Sequence, residues 1–135
     1  MLKTTILNIL LYFFVKYMAF YTFLMFKDSN FKLLNVNNIK NGADLFYFLW
    51  LLLFLPVVCM IIFTALLYFS FRVKNAVYFF LIIGVTFIAE YFLYVYLTSQ
   101  KQIDINGVYN GILSILFLLL FFFKHISVIV KQDAQ

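Results

Sequence analysis

The chain has 135 residues, of which 67% are hydrophobic and 11% charged, with a mean hydropathy of +1.05 and a formal net charge of +5. A water-soluble domain runs near half apolar and a quarter charged, so this composition leaves too little polar surface to cover a soluble globule. The basic excess forms no cluster with interleaved recognition residues outside the apolar runs, which argues against nucleic acid as a partner.

A helix that crosses about 30 Å of hydrocarbon needs about 20 mostly apolar residues, because every backbone group must be bonded within the segment. Continuous apolar runs, rather than short alternating ones, exclude a barrel. Four runs meet the helical requirement: residues 5–26, 45–71, 76–98 and 108–130. They predict an all-α integral membrane protein, a four-transmembrane-helix bundle forming one membrane domain over residues 1–135.

The first run follows Lys3 in the manner of a signal peptide. It lacks a small-residue cleavage site, however, and Lys16 interrupts what should be an apolar core, so it is expected to be a retained span. Asn8, Tyr12 and Lys16 follow at four-residue steps and share one helical face. The connection that follows, residues 27–44, is asparagine-rich and ends in the turn signal Asn41-Gly42-Ala43-Asp44. Its middle, "FKLLNVNNI", suits a short amphipathic segment at the membrane surface. It reads either as a spacer or as a partner-facing outer loop.

In the second run Pro56 is predicted to kink the helix and free a carbonyl one turn earlier. Cys59 is the single cysteine, so an intrachain disulfide is impossible. Thr64, Tyr68 and Arg72 mark a polar face. The short turn "FRVKNA" then forces an antiparallel hairpin into the third run. That run carries Thr86, Glu90, Tyr94 and Thr98 at four-residue spacing. The fourth begins with Gly107 and Gly111, whose spacing serves either close helix approach or local turn geometry. Asn110 and Ser114 follow on one face, and Lys124 and His125 lie near the far end, where lysine reaches the interface.

Basic residues concentrate at the N-terminus, at Arg72 and Lys74, and at Lys124 and Lys131, whereas the loops on the other side mix lysines with Asp28, Asp44 and Asp104. The positive-inside rule therefore places both termini in the cytoplasm. The composition suits a bacterial inner (cytoplasmic) membrane.

Polar strips on greasy helices belong in the bundle interior, where they bond across helices rather than face lipid. At about 1.5 Å per residue, Lys16 lies about 16 Å into the first span and Glu90 about 21 Å into the third, measured from the same side. That depth predicts a Lys16–Glu90 ion pair steadied by Tyr12, Tyr94 or Thr86, with Asn8 on the same strip. Thr64, Tyr68, Asn110 and Ser114 form the secondary polar contacts. A protonated Glu90 or a coupling carboxylate facing a wet cavity are the alternatives.

No catalytic motif, metal set or cofactor-binding loop is present in the sequence, so no catalytic residue, metal or cofactor is assigned. The length and four-span plan are similar to the small multidrug-resistance exporters. Those carry their glutamate in the first helix, where this chain has Lys16, and a glycine-rich third helix that this chain lacks, so the match is rejected and none of their residues is carried over. Two functions compete. One is a non-enzymatic accessory or interaction protein, a subunit or an immunity-type protein, that binds another membrane protein within the lipid. The other is a small homo-oligomeric transporter, channel or lipid carrier with Lys16 and Glu90 in its path.

Overall fold

The computed structural model describes residues 3–27, 40–98 and 104–133. Most of the 27–44 loop, including the expected amphipathic segment, lies outside the described residues, as does much of the connection after Thr98.

The helices that begin from a loop each start with a short polar side chain that satisfies an otherwise orphaned backbone donor. Helix α1 spans Ile6–Lys27, and Thr5 Oγ1 accepts from the Asn8 amide at 3.3 Å. Helix α2 spans Gly42–Leu49, capped by Asn41, which accepts from the Asp44 amide at 2.8 Å. Asp44 in return accepts from the Lys40 amide. A five-residue π-helical stretch, Trp50–Phe54, joins α2 to α3, Leu55–Ser70. Helix α4, Ala76–Thr98, is capped by Asn75, and α5, Ile105–Asp133, by Asp104.

The second apolar run is thus not one uniform helix. Pro56 occupies the first turn of α3, where its missing amide removes no bond that α3 itself needs. The wider π turn immediately before it absorbs the broken ladder. Together α2, the π turn and α3 run without interruption from residue 42 to residue 70. Helix α5 carries its own bend at Phe122, whose φ of −121° and ψ of 15° leave the helical region.

Helices α1, α4 and α5 are each long and apolar enough to cross a membrane, and the apolar part of α3, Pro56–Ser70, is shorter. Helix α1 packs on α3 and α5, and α4 packs on the same two, closing a ring of four helices. Ring and ion contacts fix the directions. Phe23 meets Tyr109 while Tyr12 meets Phe122, so α1 and α5 are antiparallel. Phe20 meets Tyr94 while Lys16 meets Glu90, so α1 and α4 are parallel. One end of the bundle, the termini end, therefore carries the first described residues of α1, the last of α5 and the Arg72–Asn75 turn. The other, the loop end, carries Lys27, Asn41, Thr98 and Asp104.

The core of the termini half is mainly apolar and aromatic, with Thr64, Ser70 and Thr86 buried among the rings and aliphatic side chains. Phe71 packs its ring on Phe79, Phe122 and His125 at 4.9–5.6 Å, and Ile9, Leu67 and Ile126 are buried around them. On the outside the pattern inverts. Large side chains such as Leu7, Met18, Ile61, Phe69 and Leu120 are exposed. Such a surface suits lipid and would be unfavourable in water.

Candidate functional site

The core contains one cluster of charged and polar side chains, built from three helices. Lys16 comes from α1, Glu90 from α4 and Ser114 from α5, and their exposures are 0%, 1% and 0%. Lys16 Nζ donates to Glu90 Oε1 and forms a salt bridge with it. The same ammonium donates to Ser114 Oγ at 3.0 Å, and it lies 4.2 Å from the Tyr17 ring centroid and 5.3 Å from that of Phe13. The cation is thus met by a carboxylate, a hydroxyl and two ring faces, which replace the water it gave up.

Glu90 is equally well served. Tyr17 donates its hydroxyl proton to Oε1 at 2.6 Å. The Ser114 hydroxyl faces both Glu90 Oε2 at 3.2 Å and the Asn110 backbone carbonyl at 2.9 Å. Tyr12 donates to the Ser114 carbonyl at 2.9 Å and packs edge-on against Phe13, Phe121 and Phe122. Cys59 of α3 is fully buried in the same layer, beside Tyr17. The pair closes across the core, since the helices packed along α1 are α3 and α5.

The remaining polar residues distribute unequally. Asn8 stays near the surface and donates to the Lys3 carbonyl at 2.8 Å, fastening the start of α1 rather than entering the cluster. Thr86 is buried and turns its hydroxyl back onto the Ile82 carbonyl. Tyr94 is buried one turn beyond Glu90, against Phe20, and its carbonyl accepts from Thr98. Tyr68 accepts from Arg72, whose guanidinium lies 4.9 Å from the Tyr68 ring centroid. His125 Nε2 lies 3.3 Å from the Phe71 carbonyl. Two buried oxygens among the described residues find no partner: Thr64 Oγ1 and Asn110 Oδ1.

Tyr17 is the member that sequence periodicity passed over. It adjoins Lys16 and falls off the strip of Asn8, Tyr12 and Lys16, so four-residue spacing did not select it. The only available signal was that a tyrosine beside an intramembrane lysine occupies nearly the same depth.

The two glycines of α5 separate clearly. A Cβ on Gly107 would lie 2.7 Å from the Tyr91 ring and 3.0 Å from Val95, whereas at Gly111 it would meet nothing within 4 Å. Gly107 therefore permits the close approach of α4 and α5, and Gly111 has no such role.

Chemically, Ser114 beside a lysine invites comparison with a serine nucleophile and its base. That chemistry requires a free amine, and Lys16 already donates to a carboxylate. No group of three histidine, cysteine or acidic side chains could hold a metal ion among the described residues. The arrangement joins α1, α4 and α5 by mutually satisfied charge. The chain matches no protein-family model, no curated protein and no solved structure.

Proposed function

We propose that the chain is a small non-enzymatic accessory protein of a membrane, a subunit or immunity-type protein that binds another membrane protein within the lipid. In this reading the continuous helix from residue 42 to residue 70 is a fourth crossing. At about 1.5 Å per residue it is about 43 Å long, enough to span with tilt. Both termini face the cytoplasm of a bacterial inner membrane, where Arg72, Lys74 and Lys124, all exposed, meet the aqueous side.

The observation that carries the reading is the self-sufficiency of the Lys16–Glu90–Ser114–Tyr17 cluster. A permeation path needs polar groups turned toward a passage. Here the ionised groups are bonded to one another, and the termini half of the core beside them is filled by Phe13, Phe71, Phe79 and Phe122. The cluster then acts as the fastener that fixes one arrangement of helices, which lipid alone would not specify. The broad apolar exterior is left for lipid and for partner helices.

Mild-detergent purification followed by native mass measurement tests this. A stoichiometric heterologous membrane protein that crosslinks to the apolar exterior supports the accessory reading. A homogeneous homo-oligomer without a partner overturns it in favour of an oligomeric transporter, channel or lipid carrier.

A further inference from the structure

Helices α3 and α4 leave a groove of about 160 Å³ on the outside of the bundle, lined by Leu66 of α3 and by Leu81, Ile82, Val85, Thr86 and Ala89 of α4. Leu66, Leu81 and Val85 are 41–58% exposed, so the groove opens outward, toward lipid. Its one hydroxyl, on Thr86, is bonded to the Ile82 carbonyl of its own helix. The walls therefore ask nothing polar of an occupant.

Toward the termini end the groove leads to Tyr78. Tyr78, Ile82, Val85 and Ala89 follow at three- and four-residue steps and share one face of α4. Tyr78 is 64% exposed in the first turn of that helix. Helical side chains tilt toward the N-terminus of their helix, which carries the Tyr78 hydroxyl to the membrane interface. From Tyr78 to Ala89 the helix rises about 16 Å, and half of the hydrocarbon thickness is about 15 Å. From mouth to end, the groove is as long as one leaflet is deep.

The charge at the mouth is positive and unmatched. The sequence holds no acid between Asp44 and Glu90, so the α3–α4 turn carries Arg72 and Lys74 with no carboxylate of its own. Among the described residues neither cation forms a salt bridge. Arg72 is drawn back along α3 by a hydrogen bond to Tyr68, and Lys74 is exposed beside Asn75, the cap of α4. The loop end differs: there Lys27 donates to Asn106 at 2.8 Å and lies over the Tyr109 ring.

We propose that this groove is a site for an anionic phospholipid of the leaflet at the termini end. One acyl chain lies along Leu66, Val85 and Ala89. The phosphate meets the Lys74 ammonium and the Tyr78 hydroxyl, and Arg72 adds its charge from the same turn. Apolar contact holds the chain, and the cations select an anionic headgroup over a zwitterionic one. A helix is about 10–12 Å across with its side chains and would rest on the rim of such a groove. The site does not depend on which protein the rest of the exterior binds.

Lipid retention tests the site. The chain is reconstituted into phosphatidylcholine vesicles containing phosphatidylglycerol as the anionic probe, extracted in mild detergent and weighed with the lipid it keeps. One phosphatidylglycerol per chain, kept in preference to phosphatidylcholine, is the expected result. Lys74→Gln should lower that preference about fivefold, the effect of one basic residue at an anionic surface. Ala89→Trp, which fills the groove, should lower retention of both lipids. Lys124→Gln removes an exposed cation of α5 at the same end and should change neither. Equal retention of the two lipids by the unaltered chain, or equal losses from Lys74→Gln and Lys124→Gln, overturns the proposal.

Photolabelling of the unaltered chain gives a second measurement that needs no variant to fold. Phosphatidylglycerol with a diazirine partway down one acyl chain should label Leu66 and the stretch from Leu81 to Ala89 above the exposed faces of α1 and α5. Even labelling of all exposed faces, or a groove left unlabelled, overturns the proposal.

Discussion

Lys16 of α1 and Glu90 of α4 are 74 positions apart in the chain and form a salt bridge in which both side chains are essentially unexposed. Removing one partner of such a pair strands the other charge, which destabilises by about 3–5 kcal/mol, whereas replacing both with apolar groups of similar size is often neutral. Glu90→Leu and Glu90→Gln should therefore each lower the denaturation midpoint in detergent micelles, with Glu90→Gln the milder because it keeps a hydrogen-bonding side chain. Adding Lys16→Met should recover most of the loss. A double-mutant cycle read by thermal or denaturant unfolding checks this, and a double variant no better than the single ones counts against the pair.

Tyr17 holds the carboxylate from the same helix as Lys16. Its hydroxyl bond to a charged acceptor predicts a loss of about 1.5–3 kcal/mol for Tyr17→Phe, with the helical content unchanged. Tyr96→Phe, at a tyrosine that is 83% exposed on α4, is the comparison. Equal effects of the two substitutions in the same unfolding assay would assign Tyr17 no special part.

Thr64 and Thr86 are both buried threonines, and they differ in one respect. Thr86 bonds to the Ile82 carbonyl, while Thr64 Oγ1 has no partner. Thr64→Val should stabilise the protein by about 1–3 kcal/mol, because it removes an unsatisfied buried hydroxyl at nearly constant shape. Thr86→Val should change stability less. Melting temperatures of the two variants decide the order.

Gly107 and Gly111 give a similarly paired expectation. Gly107→Ala drives a methyl into the Tyr91 ring, and overpacking of this kind is unfavourable by about 1–3 kcal/mol. Gly111→Ala is expected to be neutral or slightly stabilising, since alanine favours a helix and nothing obstructs it. Trimming the obstruction with Tyr91→Ala should reduce the difference between the two alanine variants.

Trp50, the single tryptophan, is stacked between Phe46 and Phe54 with ring centroids 6.1 and 4.3 Å away. This aromatic ladder lines an apolar groove of about 440 Å³ with Leu49, Leu53 and Val57. Its fluorescence should be quenched by lipids brominated along the acyl chain, and a membrane-protein partner seated on this face should relieve the quenching. Insensitivity to brominated lipid would remove this stretch from the hydrocarbon region.

Composition and run length by themselves determined the membrane class and located α1, α4 and α5, because backbone hydrogen bonding leaves an apolar run of that length one economical conformation in lipid; α5 extends three residues beyond its apolar run at each end. Four-residue spacing placed Lys16 and Glu90 on inward faces, and counting rise per residue matched their depths. The sequence could not show how the helices pack, since periodicity orients a face within a helix and says nothing of which helix lies opposite. Only the tertiary structure decided that α1 and α4 meet across the core, that Tyr17 rather than Asn8 reaches the cluster, and that Ser114 completes it. It also decided that the chain accommodates Pro56 through a π turn, and that Gly107, not Gly111, lets two helices approach. Each of these depends on rotation and offset between helices, set by side chains far apart in sequence fitting the same space.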